Sequence, residues 1–310
     1  MKINNIVSMS SGKDSTATLL LAIALEVENL QCVFADTGHE HQFVYEYLDY
    51  LEEKLNIKIR RVKADFGFEI RRKRSKIISN KLPGWSDEIR EEALKVLYPT
   101  GNPFLDLCLW KGRFPSTKAR FCSIELKRNP LINQVMIPLL DKGEQVYSWQ
   151  GIRRDESLAR RYAPEFEEVG GGLFNYRPIA KWNVESVFEA HKYFNIEPNP
   201  LYKLGMGRVG CMPCINCGKS ELKEISMRFP EEIERVRKWE KLVSMASRRG
   251  NGTFFCATDD PTYDGEEIHH TTHGIDRRVE WSKTLRGGRL LDMFADAEPE
   301  ACSSAYGLCE

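Results

Sequence analysis

The stretch VSMSSGKDSTATLLLA, which begins at Val7, has residue types suited to anion chemistry. A short apolar run leads into a loop of small polar residues with one lysine, and an apolar helix follows. A turn that enters a helix presents unpaired backbone N–H groups and the positive end of the helix dipole, which together suit a phosphate. An ordinary strand-to-helix turn, capped by Asp14 or Ser15, is the alternative. We expect a phosphate site formed by Ser10, Ser11, Gly12, Lys13, Asp14 and Ser15.

Three cysteines recur at intervals of three residues in the stretch CMPCINC, as Cys211, Cys214 and Cys217. This spacing brings three thiols close enough to ligate one metal centre. It fits a 4Fe–4S cluster, and equally a zinc ion with a fourth ligand. The chain has nine cysteines and no recognisable secretion signal, so we expect metal or redox chemistry rather than a disulfide framework. Cys32 and Cys108 are expected in the core.

A further charged stretch, GIRRDESLAR, follows the end of another predicted strand and begins at Gly151. Arg153 and Arg160 can each form bidentate contacts with a phosphate or sulfate group, which lysine cannot reproduce. Glu156 would orient one of these arginines, and Ser157 could donate a hydrogen bond to an oxygen. The alternative is a solvated helix start in which the charges pair with one another.

The elements that must position these residues are strands alternating with helices. Residues 3–8 and 30–35 read as buried strands, IKIRRVKA as a third, and residues 16–25 as an apolar helix. Such alternation predicts a parallel sheet with right-handed crossovers, in which ligands bind at the carboxyl ends of strands. The loop after the second strand, Asp36, Thr37 and Gly38, therefore belongs to the candidate site.

The predicted fold is a doubly wound, mostly parallel α/β sheet with a cysteine-rich metal region and a C-terminal extension. We assign residues 1–225 to the nucleotide-binding domain and 226–310 to a helical and loop-rich extension. The strand and helix pattern breaks at about residues 66–115 into polar sequence containing proline and glycine, which we interpret as an insertion. A chain of 310 residues is long enough for this arrangement.

Composition narrows the function classes. Lys+Arg and Asp+Glu both number 45, so the net charge argues neither for nor against nucleic acid. No apolar run approaches the length of a membrane span. We expect a cytoplasmic protein without a membrane partner, and a homo-oligomer.

Five motifs in order resemble the phosphoadenylyl-sulfate (PAPS) reductase family of the PP-loop adenine nucleotide α-hydrolase-like superfamily. They are SMSSGKDS, FADTGHE, RFCSIELKRNPL, GIRRDESLARR and NPLYKLGMGRVGCMPC, and they span about residues 3–217. One departure is visible, because Ser11 stands where the family usually has a glycine.

The resemblance implies an adenylyl nucleotide as ligand (PAPS, adenylyl sulfate or ATP) and assigns roles to individual residues. Cys122 would be the fourth metal ligand, which favours a 4Fe–4S cluster over zinc. The implied catalytic residues are Lys13, Asp14, Arg153, Arg160 and Cys309. The implied nucleotide-binding residues are Ser8, Ser10, Ser11, Gly12, Lys13, Asp14, Ser15, Asp36, Thr37, Gly38, Gly151, Arg153, Glu156 and Ser157.

The C-terminal tail departs from the family. Reductases of this kind carry a catalytic cysteine in a Glu-Cys-Gly-x-His type of motif, whereas this tail reads ACSSAYGLCE. Cys302 or Cys309 could still act as a nucleophile or resolving thiol if a nearby cation lowers its pKa. Metal ligation and a neutral role are the alternatives.

Three hypotheses remain open. The first is thiol-dependent reduction of an activated sulfate to sulfite, with a reductant such as thioredoxin. The second is an ATP pyrophosphatase that uses Mg²⁺ and adenylates DNA or tRNA for sulfur insertion. The third is a non-catalytic nucleotide- or DNA-binding component of an assembly.

Two other stretches bear on partners. The basic run IRRKRSK, at residues 70–76, could follow a nucleic-acid backbone, although such runs are more often solvated surface. His269, His270 and His273 in IHHTTH could bind a metal, but we expect a surface loop there.

Overall fold

The computed structural model describes residues 2–259 and 265–284 of the chain. Six strands form one sheet in the order β3-β2-β1-β4-β6-β5, and every neighbouring pair is parallel except β5 with β6. The predicted mostly parallel α/β sheet is confirmed. The strands are β1 (Ile3–Met9), β2 (Leu30–Asp36), β3 (Ile59–Lys63), β4 (Gln145–Trp149), β5 (Phe166–Gly170) and β6 (Leu173–Tyr176).

Both faces of the sheet are buried under helices, because successive residues of a strand point to opposite sides. On β1, Ile6 packs in one apolar cluster with Val135 and Met136, whereas Val7 packs in the other with Leu19 of the first helix. The helices of this part of the chain are α1 (Lys13–Ala24), α2 (Gln42–Leu55), α6 (Asn129–Leu131), α7 (Ile137–Leu140), α8 (Val184–Tyr193) and α9 (Lys219–Arg228), with π-helical turns at Ser123–Arg128 and Ile132–Met136.

The predicted insertion at about 66–115 is largely helical rather than irregular. It contains α3 (Gly67–Ile78), α4 (Asp87–Val96) and α5 (Pro103–Lys111). Local signals explain these helices: Ser86 and Asn102 accept hydrogen bonds at the two later N-termini, and Gly112 ends α5 with a φ of 65°. The polar composition therefore marked helix caps and exposed faces.

The C-terminal part packs on this insertion. It contains α10 (Pro230–Met245), α11 (His270–His273) and α12 (Ile275–Lys283), and α10 lies against α4 and α5. Val236 and Trp239 of α10 share one apolar cluster with Phe104 of α5. The boundary placed between residues 225 and 226 stays a prediction.

Two expectations about short motifs need correction. IHHTTH forms the helical turn α11 with His273 buried, not a surface loop. In the basic run, Lys73 donates hydrogen bonds to the carbonyls of Leu109 (2.8 Å) and Ala246 (2.9 Å). Its burial lowers the pKa of this lysine to about 8. Part of the basic run therefore caps helix ends, whereas Arg72 and Lys76 are exposed.

Cys32 and Cys108 are buried, as expected.

A buried carboxylate ties the C-terminal segment to α10. Glu240 is 1% exposed, and its two oxygens accept hydrogen bonds from the backbone N–H groups of Phe254 (2.7 Å) and Ile275 (2.9 Å). Burial raises the pKa of this carboxyl to about 7. One side chain thus fixes the loop at Phe254 and the first residue of α12.

We predict that Glu240→Gln lowers the free energy of unfolding by about 1–3 kcal/mol. A glutamine offers only one acceptor oxygen, so one buried N–H loses its partner. Urea unfolding followed by circular dichroism measures the change. Glu231→Gln on the same helix, where the side chain is exposed, is the matched control and should stay within about 0.5 kcal/mol of the parent. Equal stability of the two variants would show that Glu240 does not hold the loops.

Candidate functional site

The loop between β1 and α1 has the backbone shape of an anion-binding turn. Strand β1 ends at Met9, Gly12 is the extended N-cap residue, and α1 begins at Lys13. Ser11, at the position of the family's usual glycine, has a φ of 61°. This left-handed conformation costs a residue with a Cβ about 1–2 kcal/mol. The Ser11 hydroxyl offsets part of the cost by donating to the carbonyl of Val44 at 3.0 Å.

A cavity of about 500 Å³ opens in front of this loop. Its walls come from the loop after β1, the loop after β4 and a segment just before the cysteines. The lining residues are Ser10, Gly12, Lys13, Asp14, Ser15, Gly151, Arg153, Glu156, Arg160, Tyr202, Gly207, Arg208 and Val209. The first nine of these were candidates from the sequence, so the structure brings two separate motifs together.

Asp14 joins two buried cations in this cavity. One of its oxygens lies 3.1 Å from Lys13 Nζ, and the other accepts from Arg153 Nε at 2.5 Å. Arg153 also binds Asp155 through Nη1. Burial disfavours the charged guanidinium, but these carboxylates outweigh it and raise the pKa of Arg153. The cavity floor therefore holds two fixed cations, paired with the carboxylates of Asp14 and Asp155, with which an anionic ligand can also interact.

The loop after β4 approaches α1 closely because it carries a glycine. A Cβ built on Gly151 would lie 2.8 Å from the backbone C and O of Asp14 and from the backbone N of Ser15. Further along, Glu156 forms an ion pair with Arg160 at the cavity rim. Glu156 thus contacts one of the two arginines, as the sequence suggested.

Tyr202 is a cavity residue that the sequence reasoning quoted within a motif but did not assign to the site. Its hydroxyl accepts a hydrogen bond from the Lys13 backbone N–H at 2.8 Å, and the ring lies 5.5 Å from Lys13 Nζ. His191 is buried and has its Nε2 3.0 Å from the Lys13 carbonyl. Both contacts fix the first residue of α1. The Asn-Pro-Leu-Tyr motif was the available signal for Tyr202.

Several predicted nucleotide-binding residues do not line the cavity. Ser8 is half-buried within β1, opposite Val33. Ser11 turns its side chain away to Val44, and Ser157 is exposed outside the cavity. Ser8 was assigned from the family resemblance, whereas Ser11 and Ser157 were expected to donate hydrogen bonds from their hydroxyls. Motif position gives backbone proximity but not the direction of a side chain.

The loop Asp36 to Gly38 is also outside the cavity, because α5 of the insertion covers it. Asp36 is buried and binds Tyr45, the Gly38 N–H and Lys63. A Cβ on Gly38 would lie 2.8 Å from Asn102 Nδ2 and from the Pro103 side chain. No feature of the short motif shows that another part of the chain closes over it.

The cysteine loop, which we define as residues 211–217, lies beside residues 37–40. Cys211 pairs with Glu40 in an isolated β-bridge, and its sulfur lies 3.5 Å from the Thr37 hydroxyl. The Met212 N–H donates to the carbonyl of His39 at 2.9 Å. Asn216 N–H points at Cys214 Sγ at 3.5 Å. Residues 37–40 therefore support the cysteine loop through main-chain contacts.

The four predicted ligands lie within electrostatic range of one another. Cys122, Cys211 and Cys217 each interact with Cys214, and all three have raised pKa values, chiefly because of burial. For Cys211 the pKa rises to about 12, against the opposing effect of Lys127. Raised pKa values mean that the thiolate form of these three cysteines is disfavoured. A metal ion that replaces the protons would make the same thiolates its ligands.

The chemistry of these four cysteines therefore fits a metal bound by thiolates. Their side chains do not form a closed metal site. Among residues 2–259 and 265–284, no three His, Cys, Asp or Glu side chains are arranged to hold an ion. Arg208 interacts with Cys211, Cys214 and Cys217 and also lines the cavity. Cys302 and Cys309 lie outside the described residues.

Comparison with protein families gives a match over residues 4–217 to the phosphoadenosine phosphosulfate reductase domain. The chain belongs to this family. The resemblance inferred from the five motifs is thereby confirmed, and with it a nucleotide-binding, sulfur-related type of protein.

Relatives of this PAPS reductase-family chain differ in extent. An uncharacterised 37.8 kDa protein of Escherichia phage 186 is 51% identical, covering 99% of this chain and 96% of the relative. An adenosine 5′-phosphosulfate reductase of Burkholderia cepacia is 32% identical over 30% of this chain and 38% of its own length. An uncharacterised protein of Methanocaldococcus jannaschii is 24% identical, and the chain spans 42% of it.

The phosphate complex of a Candida auris PAPS reductase is similar in structure, with a TM-score of 0.41 and 17% identity. The similarity covers 67% of this chain and 81% of the other. Within the described helices, none has the length and apolar character needed to span a membrane.

We predict that Gly151→Ala weakens binding of adenosine 5′-monophosphate by roughly tenfold or more. A methyl group would collide with the backbone of Asp14 and Ser15, so the two halves of the cavity must separate. Isothermal titration calorimetry measures the affinity. The control is Gly218→Ala, where a Cβ meets nothing within 4 Å. Unchanged affinity in Gly151→Ala would mean that the close approach does not shape the ligand site.

Proposed function

We propose that the cavity binds the anionic end of an adenylyl nucleotide and that sulfur chemistry takes place beside it, at the cysteine loop. The observation that carries this proposal is the position of Arg208. This residue lines the cavity and also interacts electrostatically with three of the clustered thiols. A ligand held in the cavity would therefore lie next to the cysteine loop.

Each part of the cavity has a role in this proposal. The N-terminus of α1 and the hydroxyl of Ser10 donate to phosphate or sulfate oxygens, as helix N-termini do for anions. Ser15 supports the loop, because its hydroxyl donates to the Gly12 carbonyl at 3.0 Å and accepts from the Ser10 N–H at 3.1 Å. Lys13, Arg153 and Arg160 supply positive charge. Asp14 positions Lys13 and Arg153 through its two ion pairs. If ATP is the ligand, Asp14 would also help position Mg²⁺.

The first candidate reaction is reduction of adenylyl sulfate or PAPS to sulfite. A cysteine thiolate attacks the sulfur, the S–O bond to the nucleotide phosphate breaks, and the adenosine phosphate leaves. The resulting enzyme thiosulfonate then reacts with a dithiol such as thioredoxin. The dithiol loses two electrons and becomes a disulfide. Of its two protons, one goes to the released sulfite and the other to the freed cysteine thiol. Cys309 is the proposed nucleophile.

We further propose that Cys122, Cys211, Cys214 and Cys217 hold a 4Fe–4S cluster, with zinc as the alternative metal. Such a cluster would supply a thiolate-bound iron centre next to the anionic ligand. Lys127 and Arg208 interact with these thiols, and their positive charge would offset the negative charge of four thiolates. The backbone N–H of Asn216, directed at Cys214 Sγ, is the kind of donor that tunes such centres.

A second candidate reaction is adenylation of a nucleic acid by ATP, in which an acceptor oxygen attacks the α-phosphate, the bond to the β-phosphate breaks and pyrophosphate leaves. Where water takes the place of the nucleic acid, the products are AMP and pyrophosphate. One observation favours it. A second pocket, of about 200 Å³, is lined by Cys217 and Arg278 and gives an acceptor a place next to the cysteine loop.

We predict that anaerobically purified protein releases sulfite from adenylyl sulfate or PAPS in the presence of thioredoxin. ATP converted to AMP and pyrophosphate would instead identify the second reaction. Product chromatography distinguishes the two, and absence of both reactions while nucleotide still binds would leave a binding module and contradict the enzyme proposal.

Lys13→Ala should weaken nucleotide binding by roughly 10- to 150-fold, because a charge-assisted contact is lost from a buried site. Equilibrium dialysis with adenylyl sulfate and ATP measures this. Lys203→Ala removes an exposed lysine that pairs with Glu197 and should bind as the parent does. Equal affinity of the Lys13 variant and the parent would reject the loop as the anion site.

We also predict that the anaerobic protein is brown and carries about four iron atoms per chain. Cys122→Ser and Cys214→Ser should each lower the iron content, because a ligand is lost. Iron analysis and absorbance in the visible region are the measurements. Cys256→Ser, which removes an exposed cysteine, should keep its iron. Colourless protein with stoichiometric zinc would overturn the cluster but keep the ligand set.

A further inference from the structure

A basic groove runs along the junction between the insertion and the C-terminal segment. Its central part has a volume of about 510 Å³ and is bordered by α3, by residues 110–116 and by residues 247–257. Among the described residues that line it, none is an aspartate or glutamate. We refer to it as the arginine groove, after Arg113, Arg248 and Arg249.

These three arginines carry positive charge that the described protein does not neutralise. All three are exposed, and no described residue forms an ion pair with them. Two other cations of the groove have internal partners. Lys111 Nζ lies 3.4 Å from Glu125 Oε1, and Lys73 donates hydrogen bonds to the ends of two helices. Exposed arginines without counter-charges are suited to bind phosphate groups.

Aromatic side chains alternate with these charges. Trp85 and Trp110 line the groove, and both residues are half-buried. Trp110 also stacks on Phe66, with 5.6 Å between the ring centres, so Trp85 is the ring that we assign to base stacking. Lys73 Nζ lies 5.7 Å from the centre of the Trp85 ring, and Lys111 Nζ lies 3.7 Å from that of Trp110. Flat aromatic faces among cations are the arrangement on which single-stranded bases stack while their phosphates are neutralised. An acidic peptide would need the charges but not the indoles.

The groove continues in both directions through shared residues. Lys73 and Trp110 also line an adjoining pocket that contains Arg72 and Lys76 of the basic run. At the other end, Phe254 and Cys256 also line the pocket that reaches Cys217. These pockets thus form one path from the exposed part of α3 to the cysteine loop. Arg208 and Val209, which come just before this loop, line the nucleotide cavity.

We propose that the arginine groove binds single-stranded nucleic acid and leads one nucleotide of it to the cysteine loop. This binding does not depend on which reaction takes place in the nucleotide cavity, so either proposal can fail without the other. The net charge of zero does not indicate this groove, because a net charge does not show how charges are distributed over the surface.

Fluorescence anisotropy with labelled oligo-dT and oligo-rU of about 12 nucleotides tests the proposal, since single-strand sites span about 4–16 nucleotides. The parent should bind at low salt, and the two oligomers distinguish DNA from RNA. Arg248→Glu/Arg249→Glu should weaken binding at least tenfold and lower the salt slope by about 1.4, which corresponds to two lost phosphate contacts. Trp85→Ala should weaken binding roughly 5- to 150-fold through loss of one stacked base.

The control is Lys54→Glu/Lys58→Glu, which reverses two exposed charges that do not line the groove. It should bind as the parent does, and circular dichroism should show all variants folded. Because Arg248 and Arg249 are exposed, the double variant decides the case if Trp85→Ala fails to fold. Absence of binding, equal binding by the double variant, or equally tight binding of polyglutamate would overturn the proposal.

Discussion

The two ion pairs of Asp14 are the interaction on which the candidate site depends. They link the loop after β1 to the loop after β4 through two cations, Lys13 and Arg153, that are both largely buried. A buried cation is costly unless it is paired, so this carboxylate keeps both charges in place before any ligand arrives. The same contact requires Gly151, because the two backbones approach too closely for a Cβ. Charge and packing therefore specify one arrangement of the cavity.

Much of this arrangement could be predicted from the sequence. Adjacent parallel strands β1 and β4 bring their carboxyl ends together, so motifs 140 residues apart meet at one edge of the sheet. The residues around Lys13 and Arg153 line one cavity for this reason, and their role in binding a ligand stays a prediction. Residue type and strand order were sufficient, because ligand sites in open parallel sheets lie where strands end.

The differences between the expected and the observed cavity lining have a common cause, which is that short motifs do not show what the rest of the chain covers. Asp36 and Thr37 have a polar sequence at the end of a strand, but α5 and the cysteine loop bury them. Tyr202 was overlooked since its role depends on a hydrogen bond to Lys13, far away in sequence. In the insertion, where prolines and glycines interrupt the alternation of strands and helices, Pro103 and Gly112 mark the two ends of a helix.

The segment from Thr37 to Val44 has a consequence for how the protein could respond to its ligand. Through Val44 it anchors the hydroxyl of Ser11 in the phosphate loop, and through His39 and Glu40 it anchors the start of the cysteine loop. Eight consecutive residues thus contact both the loop after β1 and the start of the cysteine loop. A shift of this segment would move both loops together, so the distance between the two loops depends on the backbone geometry of one short segment.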